Sequence, residues 1–255
     1  ERAMPVELFA PSRETGFGVF GHSGDTFTWG MGVFTDADDY GEADAHDDTY
    51  LVAGRLTFLP WYDDGDLFHL GGAVVWQDIN EDSSARFRTR PEVHLYTRLI
   101  DTGNFEADSV LKFGLEGAAI MNSFHVVGEY MMVNVDSVAA NDPSFQSFYV
   151  YGGYYLTGER RNYKTSAGTF DRTKVKSAFD PKEGGMGAWE IAARYSWADL
   201  NDELILGGEQ MDFTVALNWY LTNNTVWKFN YVYADVDELD DGTFNAFQVR
   251  FQIDF

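Results

Sequence analysis

Cysteine is absent from all 255 residues, which excludes disulfides and thiolate metal sites. No run of about 18 apolar residues occurs, so no transmembrane helix is possible. There is no nucleophile elbow, P-loop, HExxH or paired-carboxylate motif, and the five His are scattered. No enzyme and no cofactor are expected. His69, His94 and His125 read as polar residues of a wall or a loop rather than as ligands. Bases are few: 18 Lys and Arg stand against 41 Asp and Glu, a net charge of −23. That balance excludes a nucleic-acid partner, which needs basic surface. It would also argue against an anionic ligand, unless the bases are concentrated where a ligand passes. No signal peptide opens the chain, and the first residues, ERAMP, read as the interior of a longer sequence.

What the chain does have is period-two alternation. Over 243–255, Phe247, Val249, Phe251, Ile253 and Phe255 point one way, and Gln248, Arg250, Gln252 and Asp254 the other. An apolar outer face, a charged inner face and an aromatic end are the pattern of a strand in a transmembrane β-barrel. The clearest internal case is 187–199, which sets Trp189, Ile191, Ala193, Tyr195 and Trp197 against Glu190, Arg194 and Ser196. Similar strands are expected over 25–34, 50–59, 67–76, 110–121, 211–221 and 225–235, with blurrier ones over 15–22, 123–135 and 145–156. A soluble sandwich also alternates, with its apolar face inward. The heavily aromatic apolar faces, opposed by Arg, Lys and Glu in mid-strand, favour the barrel.

The connections are of two kinds. Short turns are expected at Ser23-Gly24, Asn122 and 222–224, and long acidic loops over 35–49, 136–144, 200–210 and 236–242. Pro91 keeps 86–97 from being a central strand, so 79–108 reads as one long loop. Parity then puts the three short turns at one end, the periplasmic one, and the acidic loops at the other. Eleven strands is an odd number for a closed antiparallel barrel. The fold class expected is therefore an all-β transmembrane antiparallel barrel, a single domain over 1–255 lacking its N-terminal strands, about five if the total is sixteen.

The acids crowd the loops. Asp36, Asp38, Asp44 and Asp47, with Gly41, loosely match a calcium loop but lack its bidentate Glu and flanking helices. A solvated acidic exterior is the simpler reading. The bases cluster elsewhere. Arg86, Arg88, Arg90 and Arg98 stand in the long loop; if that piece is extended, they share a face with Glu92 and His94. Arg160, Arg161, Lys164, Arg172, Lys174, Lys176 and Lys182 fill the connection 158–185, which parity puts on the short-turn side. A long basic segment there is explained if it folds back into the lumen as a constriction. Arg55, Lys112, Arg194, Lys228 and Arg250 would line the wall. Bases in a narrow pore select anions, and guanidinium forks suit phosphate oxygens. Alternatively, these bases pair with loop acids and hold the loops in place.

Several segments resemble the phosphate-selective porin O/P family. They include GAWEIAARYS at 187–196, ALNWYL at 216–221, FDRTKVK at 170–176, RTRPE at 88–92 and VRFQIDF at 249–255. The resemblance implies a sixteen-stranded, homotrimeric outer-membrane porin of a Gram-negative bacterium, with inward-folded loops. It also implies an arginine ladder, matched by Arg86, Arg88 and Arg90, and a lysine-rich eyelet, matched by Lys174 and Lys176. Its partners would be the lipid bilayer, lipopolysaccharide and small anionic solutes of the phosphate or polyphosphate class. The alternatives are a non-specific or cation-tolerant porin, and a structural protein whose acidic loops bind divalent cations.

Overall fold

A computed structural model describes residues 2–36, 50–79, 84–237 and 242–254. Eleven long strands form one antiparallel sheet in strict chain order. They are β1 (Glu14–Ser23), β2 (Phe27–Asp36), β3 (Tyr50–Asp63), β4 (Asp66–Asp78), β5 (Ser109–Met121) and β6 (Phe124–Asp136). The series continues with β7 (Ser144–Tyr155), β8 (Ala188–Asp202), β9 (Ile205–Thr222), β10 (Thr225–Asp237) and β11 (Gly242–Ile253). The sheet is open among the described residues: β1 and β11 are its edges and do not pair with each other. The helix α1 (Met4–Phe9) has 6 residues, and no described helix is long and apolar enough to cross a membrane.

The sheet is inside out relative to a soluble protein. Many of its exposed side chains are large and apolar: Met31, Leu56, Leu70, Leu115, Val215, Phe247 and Phe251 all point outward. Its buried side chains include Thr57, His69, His125, Glu190, Ser196, Gln210 and Asp212. The cross-strand register keeps this sorted. Trp227 faces Phe251, and one position later Lys228 faces Arg250, so the two sets occupy opposite faces. So many large apolar side chains left exposed on one face are unlike a soluble monomer, whose apolar patches are small, and they suit a hydrocarbon surround.

Strand parity gives the sheet two ends. At one lie the tight turns after Ser23, Asp63, Met121 and Thr222, together with the long connection 156–187. At the other, β4 leads into 79–108, β6 into 137–143 and β8 into a two-residue turn. The strands flanking 37–49 and 238–241 end there too; those two acidic stretches lie outside the described residues.

Two expectations need correction. Residues 200–210 are not a loop. β8 and β9 continue through them to a turn at Glu203 and Leu204, with a register shift between Asp199 and Asn201. Asn201 takes part in that irregularity, its Oδ1 accepting from the Gly208 N–H at 2.9 Å. β3 and β4 also extend beyond 59 and 67. Pro60 falls in a register shift between Phe58 and Trp61, where its missing N–H does no harm. The hairpin closes on Asp64-Gly65, both at positive φ, as a two-residue turn requires.

The inner face is not polar throughout. Near the end opposite the tight turns, Val110, Val133, Val135, Phe145, Leu200 and Val236 face inward and form a core. Met4, Leu8 and Phe9 of α1 and Ala85, Phe87 and Ile100 of the long loop complete it. The loop is braced by two-residue ladders, Ser84–Ala85 against Phe105–Glu106 and Arg88–Thr89 against Ile100–Asp101. Both α1 and this loop therefore lie against the inner side of the wall.

Candidate functional site

The connection 156–187 also folds back onto the inner face. A short ladder, Tyr163–Lys164 against Thr169–Phe170, shapes its first half. Tyr163 and Phe170 pack on Leu59, Leu67 and Ile120, and the Tyr163 hydroxyl lies 2.6 Å from His69 Nδ1. Burial pushes the Tyr163 phenol up to about 12. Gly168, at φ +61, sits so close to the wall that a Cβ would lie 2.5 Å from Thr57 Oγ1. Its carbonyl accepts from the Arg55 guanidinium at 2.9 Å.

Beside this docked segment is a recess of about 240 Å³ in the inner face of β7–β11. Three bases line it: Arg161 from the folded-back segment, Arg194 from β8 and Lys228 from β10. Arg250 adjoins, directly across from Lys228. The Arg161 guanidinium lies 5.2 Å from the Phe170 ring centroid, and its buried Nε has no hydrogen-bond partner. Hydrogen-bonding groups of Tyr151, Asn218, Asn230 and Gln248 complete the polar lining.

Two carboxylates also face the recess, and both are engaged. Glu190 accepts from Asn218 and Tyr220 at 2.8 Å each and lies 3.2 Å from His125 Nε2. Glu92 accepts from Arg194 at 2.6 Å, and from the hydroxyls of Ser196 and Thr214 at 2.6 Å. The expectation that Glu92 shares a face with the arginines fails. The chain reverses at Pro91, Glu92 takes φ 35, and its side chain turns into the wall while Arg86 and Arg88 stay exposed. His94 is exposed in the loop.

The other bases are mostly held. Arg86 forms a fork on Asp101, with Nε to Oδ1 at 2.8 Å and Nη2 to Oδ2 at 2.5 Å. That hydrogen bond holds the Asp101 carboxyl below its ordinary value. Arg88 stands exposed opposite Asp101 in the loop ladder. Burial, then Arg90 and Arg88, lower the Arg98 guanidinium from its ordinary value. Arg90 bonds Glu7 of α1 at 2.8 Å, and Arg55 bonds Glu116 at 2.8 Å. Arg160 reaches the β3–β4 turn, bonding the Asp64 carbonyl and lying 3.1 Å from Asp66. Lys112 is half-buried on the inner face of β5, and Lys164 is exposed near Arg55 and Thr28.

Arg172, Lys174 and Lys176 are exposed. Their stretch is tied down by a Tyr155–Thr173 hydroxyl contact at 2.7 Å and by Val175 N–H donating to Asn223 at 2.8 Å. Lys176 Nζ bonds the Gly158 carbonyl. This anchors them beside the Asn223 turn, whereas the base from the same segment that lines the recess is Arg161. Among the candidate calcium ligands, Asp38, Asp44 and Asp47 lie outside the described residues, and the side chain of Asp36 is not described. Among the described residues no cluster of three or more His, Asp or Glu forms a metal-like group.

A strand-ordered antiparallel wall, apolar on one face and polar on the other, with segments folded onto the polar face, is the pattern expected of a porin wall. The chain belongs to the phosphate-selective porin O and P family, whose model matches residues 1–255. It is similar to an uncharacterised protein of Caulobacter vibrioides, 29% identical over 244 residues, covering 92% of this chain and 48% of that protein. It is also similar to porin O of Pseudomonas aeruginosa, 26% identical over 239 residues, covering 79% of this chain and 52% of that protein. The chain spans about half the length of the curated relatives it matches.

Proposed function

We propose that the protein is a passive diffusion channel of a Gram-negative outer membrane, preferring small anions of the phosphate or polyphosphate class and performing no catalysis. In this reading the wall is part of a sixteen-stranded barrel that works as a homotrimer in a lipopolysaccharide-bearing bilayer. The tight turns face the periplasm and the acidic loops the exterior. Family membership supports the class. The observation that carries the anion preference is the recess, where Arg161, Arg194 and Lys228 converge on the inner face.

The physical argument sets local field against net charge. Exposed charges farther than about 8 Å are largely screened at physiological salt, so acidic loop tips act weakly on a deep passage. Bases held against a low-dielectric wall are screened much less. Amide and phenol groups beside them replace part of an anion's hydration shell.

A second reading, a cation-tolerant porin, draws on the pairing of Arg55, Arg86, Arg90, Arg160 and Arg194 with carboxylates. Planar-bilayer reversal potentials of the full-length protein in a KCl gradient separate the two. The parent is expected to reverse on the anion side, and Arg161→Glu with Lys228→Glu to move the potential toward cations. A parent reversing on the cation side establishes the second reading instead.

A further inference from the structure

Glu92 is the most heavily bonded carboxylate of the inner face, and the channel reading gives it no part. It comes from the loop, not the wall. Its side chain is fully buried against Arg194. It accepts from wall residues of two strands, Ser196 of β8 and Thr214 of β9, and from the Met4 backbone N–H of α1 at 3.2 Å. Its own carbonyl accepts from Gln248 of β11 at 3.0 Å. Its φ of 35 is one that side-chain-bearing residues rarely adopt. Such a conformation persists only where the surroundings over-determine it, and it concentrates at functional sites.

We infer that Glu92 is a specificity-positioning residue: it locks the arginine-bearing loop onto the wall and offsets the charge of Arg194, so that it sets how strongly the recess attracts an anion. Both effects follow from the geometry. Glu92 lies two residues beyond Arg90, so the loop's basic limb cannot lift from the wall without breaking this node. The short contact to Arg194 is charge-assisted and turns that base into half of a dipole, whose field falls off faster than that of a bare charge. The recess then acts mainly through Arg161 and Lys228, with Arg194 in reserve.

The inference rests on the channel reading, and the test is chosen so that the two can fail separately. The test compares Glu92→Gln, Arg194→Gln and the double variant in the full-length protein, by reversal potential in a KCl gradient. Glu92→Gln keeps the shape and removes the charge, and it should shift the potential toward anions. Arg194→Gln leaves the carboxylate without its cation and should shift it toward cations. The double variant should return close to the parent. A scaffold-only role predicts something else: both single variants unfold at lower denaturant, and their potentials stay at the parental value or move the same way. Either of those results overturns the inference. So does a Glu92→Gln protein that forms no channels while Arg194→Gln inserts normally, because Glu92 is then needed for folding alone. The sign of the parental potential tests the channel's anion preference separately, since opposite shifts of the two variants are readable whichever side the parent occupies.

Discussion

Leu115→Arg separates a lipid-facing wall from a water-facing one. Leu115 is 64% exposed and sits at the centre of β5, which runs 13 residues from Ser109 to Met121. At roughly 3.3 Å per residue and a tilt near 45°, such a strand rises about 30 Å, the thickness of a hydrocarbon core. Its middle residue is therefore at the midplane. If water covered this face, an Arg at so exposed a position would change stability by about 0.5 kcal/mol or less. In lipid, the same Arg should cost about 2–4 kcal/mol. The assay is urea unfolding of the full-length protein refolded into vesicles, followed by tryptophan fluorescence. Phe251→Arg is the depth control. Phe251 also faces outward but lies two residues from the end of β11, so its cost should drop to about 0–1 kcal/mol, as near an interface. A Leu115→Arg protein as stable as the parent refutes the lipid-facing assignment of β5. Equal costs at both positions refute the depth argument.

Gly168→Ala should unseat the folded-back segment. It puts a Cβ 2.5 Å from Thr57 Oγ1 at a residue with φ +61, adding a left-handed backbone cost of about 1–2 kcal/mol to the clash; trypsin should then cut faster among the bases at 160–176, and an unchanged digestion rate refutes the close approach. The Arg86–Asp101 fork should be pH-dependent. Because Asp101 titrates below its ordinary value in the folded loop, its contribution is present above the unfolded carboxyl's pKa of about 3.9 and is lost as pH falls through the lower, folded value. Proteolysis of the loop by an acid-active protease should rise across that window in the parent and be flat in Arg86→Gln.

The strands were legible because one physical rule acts along each of them. Lipid outside and water or polar loops inside impose a period of two, and eight of the eleven long strands carry it clearly. The rule weakens where the inner face is apolar. β6 and β7 present Val127, Val133, Phe145, Tyr149 and Tyr155 inward, where α1, the long loop and the basic segment cover them, so both faces of these strands are greasy and the alternation blurs. Boundaries failed where strand pairing outran the hydrophobic pattern. Asp64-Gly65 is a hairpin signal in plain view, and the acidic stretch after Leu200 is strand because Asn201 and Glu203 accommodate the bulge and the turn. The site was legible only as composition. The basic run at 160–176 announces a segment with a task, but the side chain that reaches the recess is chosen by the ladder that brings Phe170 close to Arg161. Glu92 gave no signal at all: one acid among arginines looks like charge balance until the chain is seen to reverse at Pro91.

The net charge of −23 misleads about the passage because it counts charges without their partners. Arg55, Arg86, Arg90 and Arg194 each face a carboxylate, and each such pair is nearly neutral at a distance. Lys228 and Arg250 add a like-charge relation. They stand directly opposite one another on β10 and β11, and like charges in that relation destabilise a sheet. A soluble wall would gain by replacing either one. In the proposed channel, an anion held over the pair on the inner face offsets that repulsion for as long as it stays. On the proposed channel reading, the pair costs stability in water and regains it beside an anion. Such a pair fits the proposed anion preference better than it fits a scaffold, which gains by an acid at one of the two positions.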